Sequence, residues 1–338
     1  MNSRWTYLDL TYNKTNITAE LEGHIKDWTF TDNLSGQIDD LQITLEDVEH
    51  KWLGDWFPAK GDLIEATIYK REWKDQLTKT KIGKFEVDEI EAKGPPSDII
   101  VKALSVPESS SLRGQEKSKA WENTTLRVVA EDIAKQNSLK LYFEASDDPK
   151  KERYEQDSET DLAFLYRLCN DEGLCLKLAS GSIVILDEVD YEAKSPVATI
   201  KRVSAENDDI KVIRWQAKTT LSGTYKSARV QYTDSSTKTT ITASFTPLNP
   251  PKVGRVLVIK DEVKSVAEGQ KLAKKRLREA NKNATTVSLT VVSERHLDAG
   301  MTVNLKEFGK FDGKYIITQA VHSQTNVALQ LRKCLEGY

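Results

Sequence analysis

The sequence predicts an α+β fold that is mainly β: two antiparallel β-barrel regions flanking a small α+β middle module. Three observations predict it. Runs alternating apolar and polar residues fill the first 105 residues and return after residue 201, the period of a strand with one buried face. Between them lie two segments with helical spacing. Glycine and proline punctuate the runs at strand-length intervals.

In residues 1–105, Leu41, Ile43 and Leu45 alternate with Gln42 and Thr44, and Ile64, Ala66 and Ile68 with Glu65 and Thr67. Pro58, Gly61, Gly83 and Gly94-Pro95-Pro96 mark turns. Phe85 and Val87 alternate and Ile90 falls out of step, which signals a bulge or a strand end. Residues 107–119, rich in Ser with Pro and Gly, read as a linker or long loop.

In residues 106–200, Leu126, Val129, Ala130 and Ile133 predict a helix capped by Asn123-Thr124. A second helix opens with Ser158 and Asp161 in capping-box spacing, carries a stripe of Leu162, Leu165, Tyr166 and Cys169, and stops at Gly173. Residues 174–178 and 183–186 flank Ser180-Gly181-Ser182 as a hairpin. In residues 201–338, Pro247, Pro250 and Pro251 mark a loop after a stretch rich in Thr and Ser. A long helix over 265–281 opens with Ser265 and Glu268 and shows Val266, Ala273, Leu277 and Ala280 on its apolar side. Three alternating runs close the chain: Val287, Leu289, Val291; Tyr315, Ile317, Val321; and Val327, Leu329, Leu331.

The 338 residues are enough for two to three domains, and 38% hydrophobic residues exclude disorder. No apolar run approaches the roughly 20 residues of a membrane-spanning helix. The first residues lack the apolar core of a secretion signal. Cys169, Cys175 and Cys334 cannot all pair within one chain and include no CxxC, so they read as reduced thiols in a protein folded in the cytoplasm. The net charge of −3 is uneven: residues 1–105 hold 13 Lys+Arg against 20 Asp+Glu, residues 106–200 hold 12 against 19, and residues 201–338 hold 24 against 13. An acidic front and a basic back attract each other, within one chain or between copies.

The two β regions echo each other. Gly61 precedes one strand and Gly83-Lys84-Phe85 opens another; Gly300 and Gly313-Lys314-Tyr315 repeat the pattern. Glycine at such places suits a tight turn or positive φ. Two similar barrels per chain let three copies present six similar units.

No HExxH, GxSxG or phosphate-loop motif is present. His24, His50, His296 and His322 lie far apart in the sequence, without metal-ligand spacing, and His322 reads as a structural strand residue. Cys169 sits on an apolar stripe and reads as core. No catalytic, cofactor or metal residues are therefore expected. Lys271, Lys274, Lys275, Arg276 and Arg278 cover one side of the long helix. That side is a solvated face, a docking face for an acidic surface, or a nucleic-acid contact. Trp52 and Trp56 before Pro58 are core residues or an aromatic anchor for a partner. A peptidoglycan hydrolase using a carboxylate pair is the enzymatic alternative.

Several stretches resemble phage tail protein D, the late-control or baseplate-hub family, itself related to the hub part of type VI secretion spike proteins. They are 158–168 with Gly173, then 297–300, 311–317 and Val321-His322, and upstream 39–45, 83–87 and Gly94-Pro95-Pro96. The upstream stretches are similar to the contractile-tail branch of Gram-positive hosts. The resemblance implies a structural role without enzyme activity and two tube-like barrels per subunit. The implied domains are a first barrel over 1–105, a middle domain over 106–200 and a second barrel with one long helix over 201–338. It also implies a homotrimer with a central channel. The implied partners are the tail tube or its initiator, the central spike, baseplate wedge proteins and the tape-measure protein, with DNA only as passing cargo. The chain would not insert into a membrane and would end in the virion baseplate.

Overall fold

The computed structural model describes residues 5–71, 77–106, 110–145, 147–179, 181–203, 210–233, 238–252, 254–292 and 296–338. The first region contains β1 (Trp5–Tyr12), β2 (Thr15–Asn16), α1 (Thr18–Leu21), β3 (Ile25–Asn33), β4 (Asp40–Glu46), β5 (Leu63–Arg71), β6 (Leu77–Lys93) and β7 (Asp98–Leu104). Leu41, Ile43, Leu45, Ile64, Ala66 and Ile68 are all buried, as alternation requires, and share a core with Leu8, Trp28, Phe85 and Val87. The strand order is β1-β5-β6-β7-β4-β3. Register against β7 slips between Val87 and Glu89, where the alternation breaks in the sequence. Trp52 is in this core, while Trp56 is exposed with its ring edge-on to Trp52 at 5.4 Å.

The middle region contains α2 (Ser111–Gly114), β8 (Glu116–Thr124), α3 (Leu126–Gln136), β9 (Lys140–Glu144), β10 (Lys151–Thr160), α4 (Asp161–Glu172), β11 (Leu174–Ala179), β12 (Ser182–Asp187) and α5 (Glu188–Ala193). Three local expectations are corrected. Much of the expected linker is structured: α2 and β8 begin inside it, because β8 pairs with β10; residues 107–109 lie outside the described residues. Asn123-Thr124 does not cap α3; both close β8, and Thr125 occupies the cap position without a side-chain bond. Thr160, not Ser158, caps α4, accepting from the Ala163 amide at 3.2 Å. Phe164, Leu165, Leu168 and Cys169 are buried, while Tyr166 lies against Gly36. Gly173 ends α4 at φ +68, a left-handed cap.

The third region contains β13 (Ala198–Lys201), β14 (Val212–Thr219), β15 (Tyr225–Thr233), β16 (Thr240–Phe245), β17 (Arg255–Ile259), α6 (Val266–Asn281), β18 (Thr285–Val292), β19 (Thr302–Lys306), β20 (Gly313–Ser323) and β21 (Asn326–Lys333). β15, β16 and β17 form a separate small sheet. On that sheet lies α6, so close that a Cβ on Gly269 would come within 2.8 Å of Ala243. Its buried face is Gly269, Ala273, Leu277, Arg278 and Asn281; Val266 is exposed. The other strands run β13-β19-β20-β21-β18-β14.

This order repeats that of the first region: β1, β3, β4, β5, β6 and β7 correspond, in chain order and in sheet order, to β13, β14, β18, β19, β20 and β21. Registers correspond as well. Trp28 faces Ile43 as Trp215 faces Leu289, with slips at 25/27 and 212/214. The slip at 87/89 recurs at 317/319. Gly61 and Gly300 have φ +89 and +88, and their amides donate to Val87 and Ile317 carbonyls at 2.8 Å each. Gly83 and Gly313 have φ +117 and +134. One pair departs from the repeat: β1 is antiparallel to β5, whereas β13 is parallel to β19. The repeat extends past β3 and β14. Trp28 with Leu34-Ser35-Gly36 and Trp215 with Leu221-Ser222-Gly223 have the same spacing, and both glycines turn at positive φ (+80 and +79).

The two copies differ in burial: Leu34 is 3% exposed and Leu221 55%. Leu34→Ala is expected to destabilise the isolated chain by about 2–5 kcal/mol through a core cavity. Leu221→Ala should change it by less than about 0.5 kcal/mol. Urea unfolding of both variants checks the contrast.

Candidate functional site at the joint of the two sheets

The two repeats join through backbone. β3 pairs antiparallel with β20, from Asn33 opposite Gln319 to Thr29 opposite Ser323, making one 13-stranded sheet. The Leu34 amide extends the seam by donating to the Thr318 carbonyl at 3.0 Å. β20 can do this because it is long: its first residues pair with β19 and its last with β3 on the same edge.

Asp32, buried on β3, ties all three regions together. It accepts a charged hydrogen bond from Lys177 on β11 and the amide of Ala299 before β19, at 2.7 Å. Lys177 also donates to the Asn33 carbonyl at 2.7 Å and lies 3.4 Å from Asp39. Ser35 Oγ accepts from the Leu176 amide at 3.1 Å. Burial pushes the Asp39 carboxyl up to about 7, with Asp32 adding to the shift and Lys177 opposing it. A small apolar cluster of Leu34, Cys175, Leu186 and Ile316 fills the joint. Beside it is a cavity of about 470 Å³ lined by Phe30, Lys70, Lys177, Tyr191, His296 and His322.

The histidines, distant in sequence, meet here. His296 Nε2 is 2.7 Å and His322 Nε2 3.3 Å from the two oxygens of Asp298. Burial opposes ionisation of Asp298, but the two imidazole contacts hold it well below the usual carboxylate range. Burial lowers the His322 value, against the pull of Asp298. No group of His, Cys, Asp and Glu among the described residues is arranged to hold a metal ion. Burial pushes the Cys169 and Cys334 thiols up to about 12, and Cys175 upward too, so all three stay protonated thiols.

A second buried set locks α6 and β21 to α5. Arg278 makes a two-point contact with Glu192 at 2.7 and 3.2 Å. Arg332 Nη2 is 2.7 Å from Glu188 and also contacts Glu192, and Lys282 is 3.6 Å from Glu188. Burial would raise the Glu188 value, but Arg332, Lys282 and Arg278 hold it below the usual range.

The rest of the basic helix face meets the middle region of the same chain. Lys275 contacts Glu172 at 2.9 Å, Arg276 contacts Asp171 at 3.2 Å, and Lys271 lies 3.6 Å from Asp147. Lys274 stands over the Phe245 ring. Lys275 and Arg276 thus find acidic counterparts within the same chain, while the Lys271 side chain stays 72% exposed. The signal that went unread was the paired Trp and Leu-Ser-Gly motif, which marks β3 and β14 as equivalents.

The site thus consists of a doubled sheet pinned by buried ion pairs, with protonated thiols and two histidines against a carboxylate. The chain belongs to the phage tail baseplate hub family, whose model matches residues 86–328. It is 29% identical over 180 residues to the probable baseplate hub protein of Escherichia phage 186, covering 52% of this chain and 44% of that one. The matched stretch thus spans less than half the length of that relative. Among solved structures, the fold is similar to a tail protein from Neisseria meningitidis MC58 (TM-score 0.73, 13% identity, 97% of this chain and 96% of that one). It is also similar to an E. coli component of the type VI secretion system (TM-score 0.57, 13% identity, 93% and 75%). The family is structural rather than enzymatic, and its members are virion tail components.

Two outcomes are expected here. The folded His322 value lies below the ordinary 6.5, so the unfolded chain binds its proton more readily. Its contribution to stability is whole above 6.5 and falls as pH drops below it. His322→Gln should therefore shrink the fall in melting temperature between pH 7.5 and 5.5. Arg332→Met leaves Glu188 and Glu192 undercompensated and should cost about 3–5 kcal/mol in denaturant unfolding.

Proposed function

We propose that three copies of this baseplate hub chain close into a ring that joins a sixfold tail tube to a threefold spike around a central channel. The observation that carries this reading is the repeat. Each copy supplies two sheets of the same strand order and register, so three copies approximate six equivalent positions. The tail tube or its initiator would meet one face and the spike the other. Wedge proteins would surround the ring, and the tape-measure protein and DNA would occupy or traverse the channel. Assembly would take place in the cytoplasm, before the hub enters the virion tail. No helix among the described residues is long and apolar enough to cross a membrane.

The division into units near 1–105, 106–200 and 201–338 is part of the same proposal, with β13 grouped with the third unit because it pairs with β19. Trp56, exposed beneath the Lys51 ammonium at 5.3 Å, is the proposed aromatic contact; Trp52 supports it from the core. Among the basic candidates, Lys271 is open, with a side chain 72% exposed.

Native mass spectrometry of the hub bound to its spike tests the reading. The expected hub mass is three times that of the 38.1 kDa chain. A single hub copy per tail overturns it.

A further inference from the structure

The seam between β3 and β20 has a free counterpart on the same molecule. By the register of the repeat, β14 is the equivalent of β3, and the far half of β6 is the equivalent of the far half of β20. β20 lends that half of its edge to β3. On β6, pairing with β5 ends at Glu86, with Gly61 and Asp62 bonding Val87. Beyond it, among the described residues, no strand pairs with that edge of residues 88–93. Among the described residues β14 pairs only with β18, which leaves its outer edge without a strand partner there. What the seam buries, the free edges expose. Trp28 is 3% exposed and Trp215 42%; Leu34 is 3% exposed and Leu221 55%. Open strand edges with exposed apolar residues are templates for pairing with another chain.

We propose that, within the ring described above and resting on that reading, β14 of one copy pairs antiparallel with residues 89–93 of β6 in the next copy. The occupant of each edge is a second copy of this chain. The intramolecular register transfers directly. Gln319 opposite Asn33 becomes Glu89 opposite Thr220, and Val321 opposite Thr31 becomes Glu91 opposite Lys218. Ser323 opposite Thr29 becomes Lys93 opposite Gln216. The Leu221 amide then donates to the Asp88 carbonyl, as Leu34 donates to Thr318. Charge supports the choice of partner: in this register Glu91 faces Lys218, and opposite charges facing each other across a strand pair stabilise it. The contact is head-to-tail, the kind that closes a ring when the rotation fits.

Paired cysteines in the full chain, assembled with its spike, test this. With Glu91→Cys and Lys218→Cys, mild oxidation should give covalent dimers and trimers. Glu91→Cys with Arg214→Cys, four residues out of register, should give at least tenfold less. Leu221→Asp should leave the melting temperature of the isolated chain unchanged and block ring formation. Lys218→Glu should weaken assembly, and adding Glu91→Lys should restore it. Trimers that form without the 91–218 cross-link, or that tolerate Leu221→Asp, overturn the seam and leave the ring standing. Absence of trimers from the unsubstituted hub–spike complex overturns the ring, and the seam with it.

Discussion

The structure depends on one buried carboxylate. Asp32 takes the Lys177 ammonium from the middle region and the Ala299 amide from the second repeat while its own strand is paired to β20. In a low-dielectric joint an unpaired carboxylate would be costly, and a hydrogen-bonded, charge-paired one fixes orientation. Three regions therefore meet at a single residue with little freedom to slide. The backbone seam beside it makes the two sheets one continuous body.

Charge is arranged to the same end. The acidic middle and the basic final third satisfy each other inside one molecule, through Glu188 and Glu192 in the buried set and through Asp171 and Glu172 nearer the surface. The surface pairs contribute little individually, about 0–1 kcal/mol each. The buried arginines matter more for geometry. Five charged groups from α5, α6, β21 and the residue following α6 meet in this buried set. This leaves less net basic surface for an outside partner than the composition of the last third suggests.

The repeat shows what a local reading catches and what it misses. The glycines at 61, 83, 300 and 313 stood out because positive φ restricts residue choice at a single position. The α4 cap was misplaced because Ser158 and Thr160 both offer one, and only the bulged pairing of β10 with β8 sets where the helix begins; Leu165 and Cys169 of its stripe are buried all the same. The Leu-Ser-Gly echo was visible in the chain, but its weight came from the matching registers.

The sequence by itself determined the alternating strands with their buried faces, the helix stop at Gly173 and the recurring turn glycines of the two β regions. Alternation and turn chemistry act over a few residues and leave a local trace. Only the tertiary structure decided that β20 shares one edge between β19 and β3, that His296 and His322 meet at Asp298, and that Lys275, Arg276 and Arg278 find acidic partners in the middle region. Edge pairing uses backbone groups common to every residue. These acidic partners of Lys275, Arg276 and Arg278 lie roughly a hundred positions away, so no spacing along the chain encodes them.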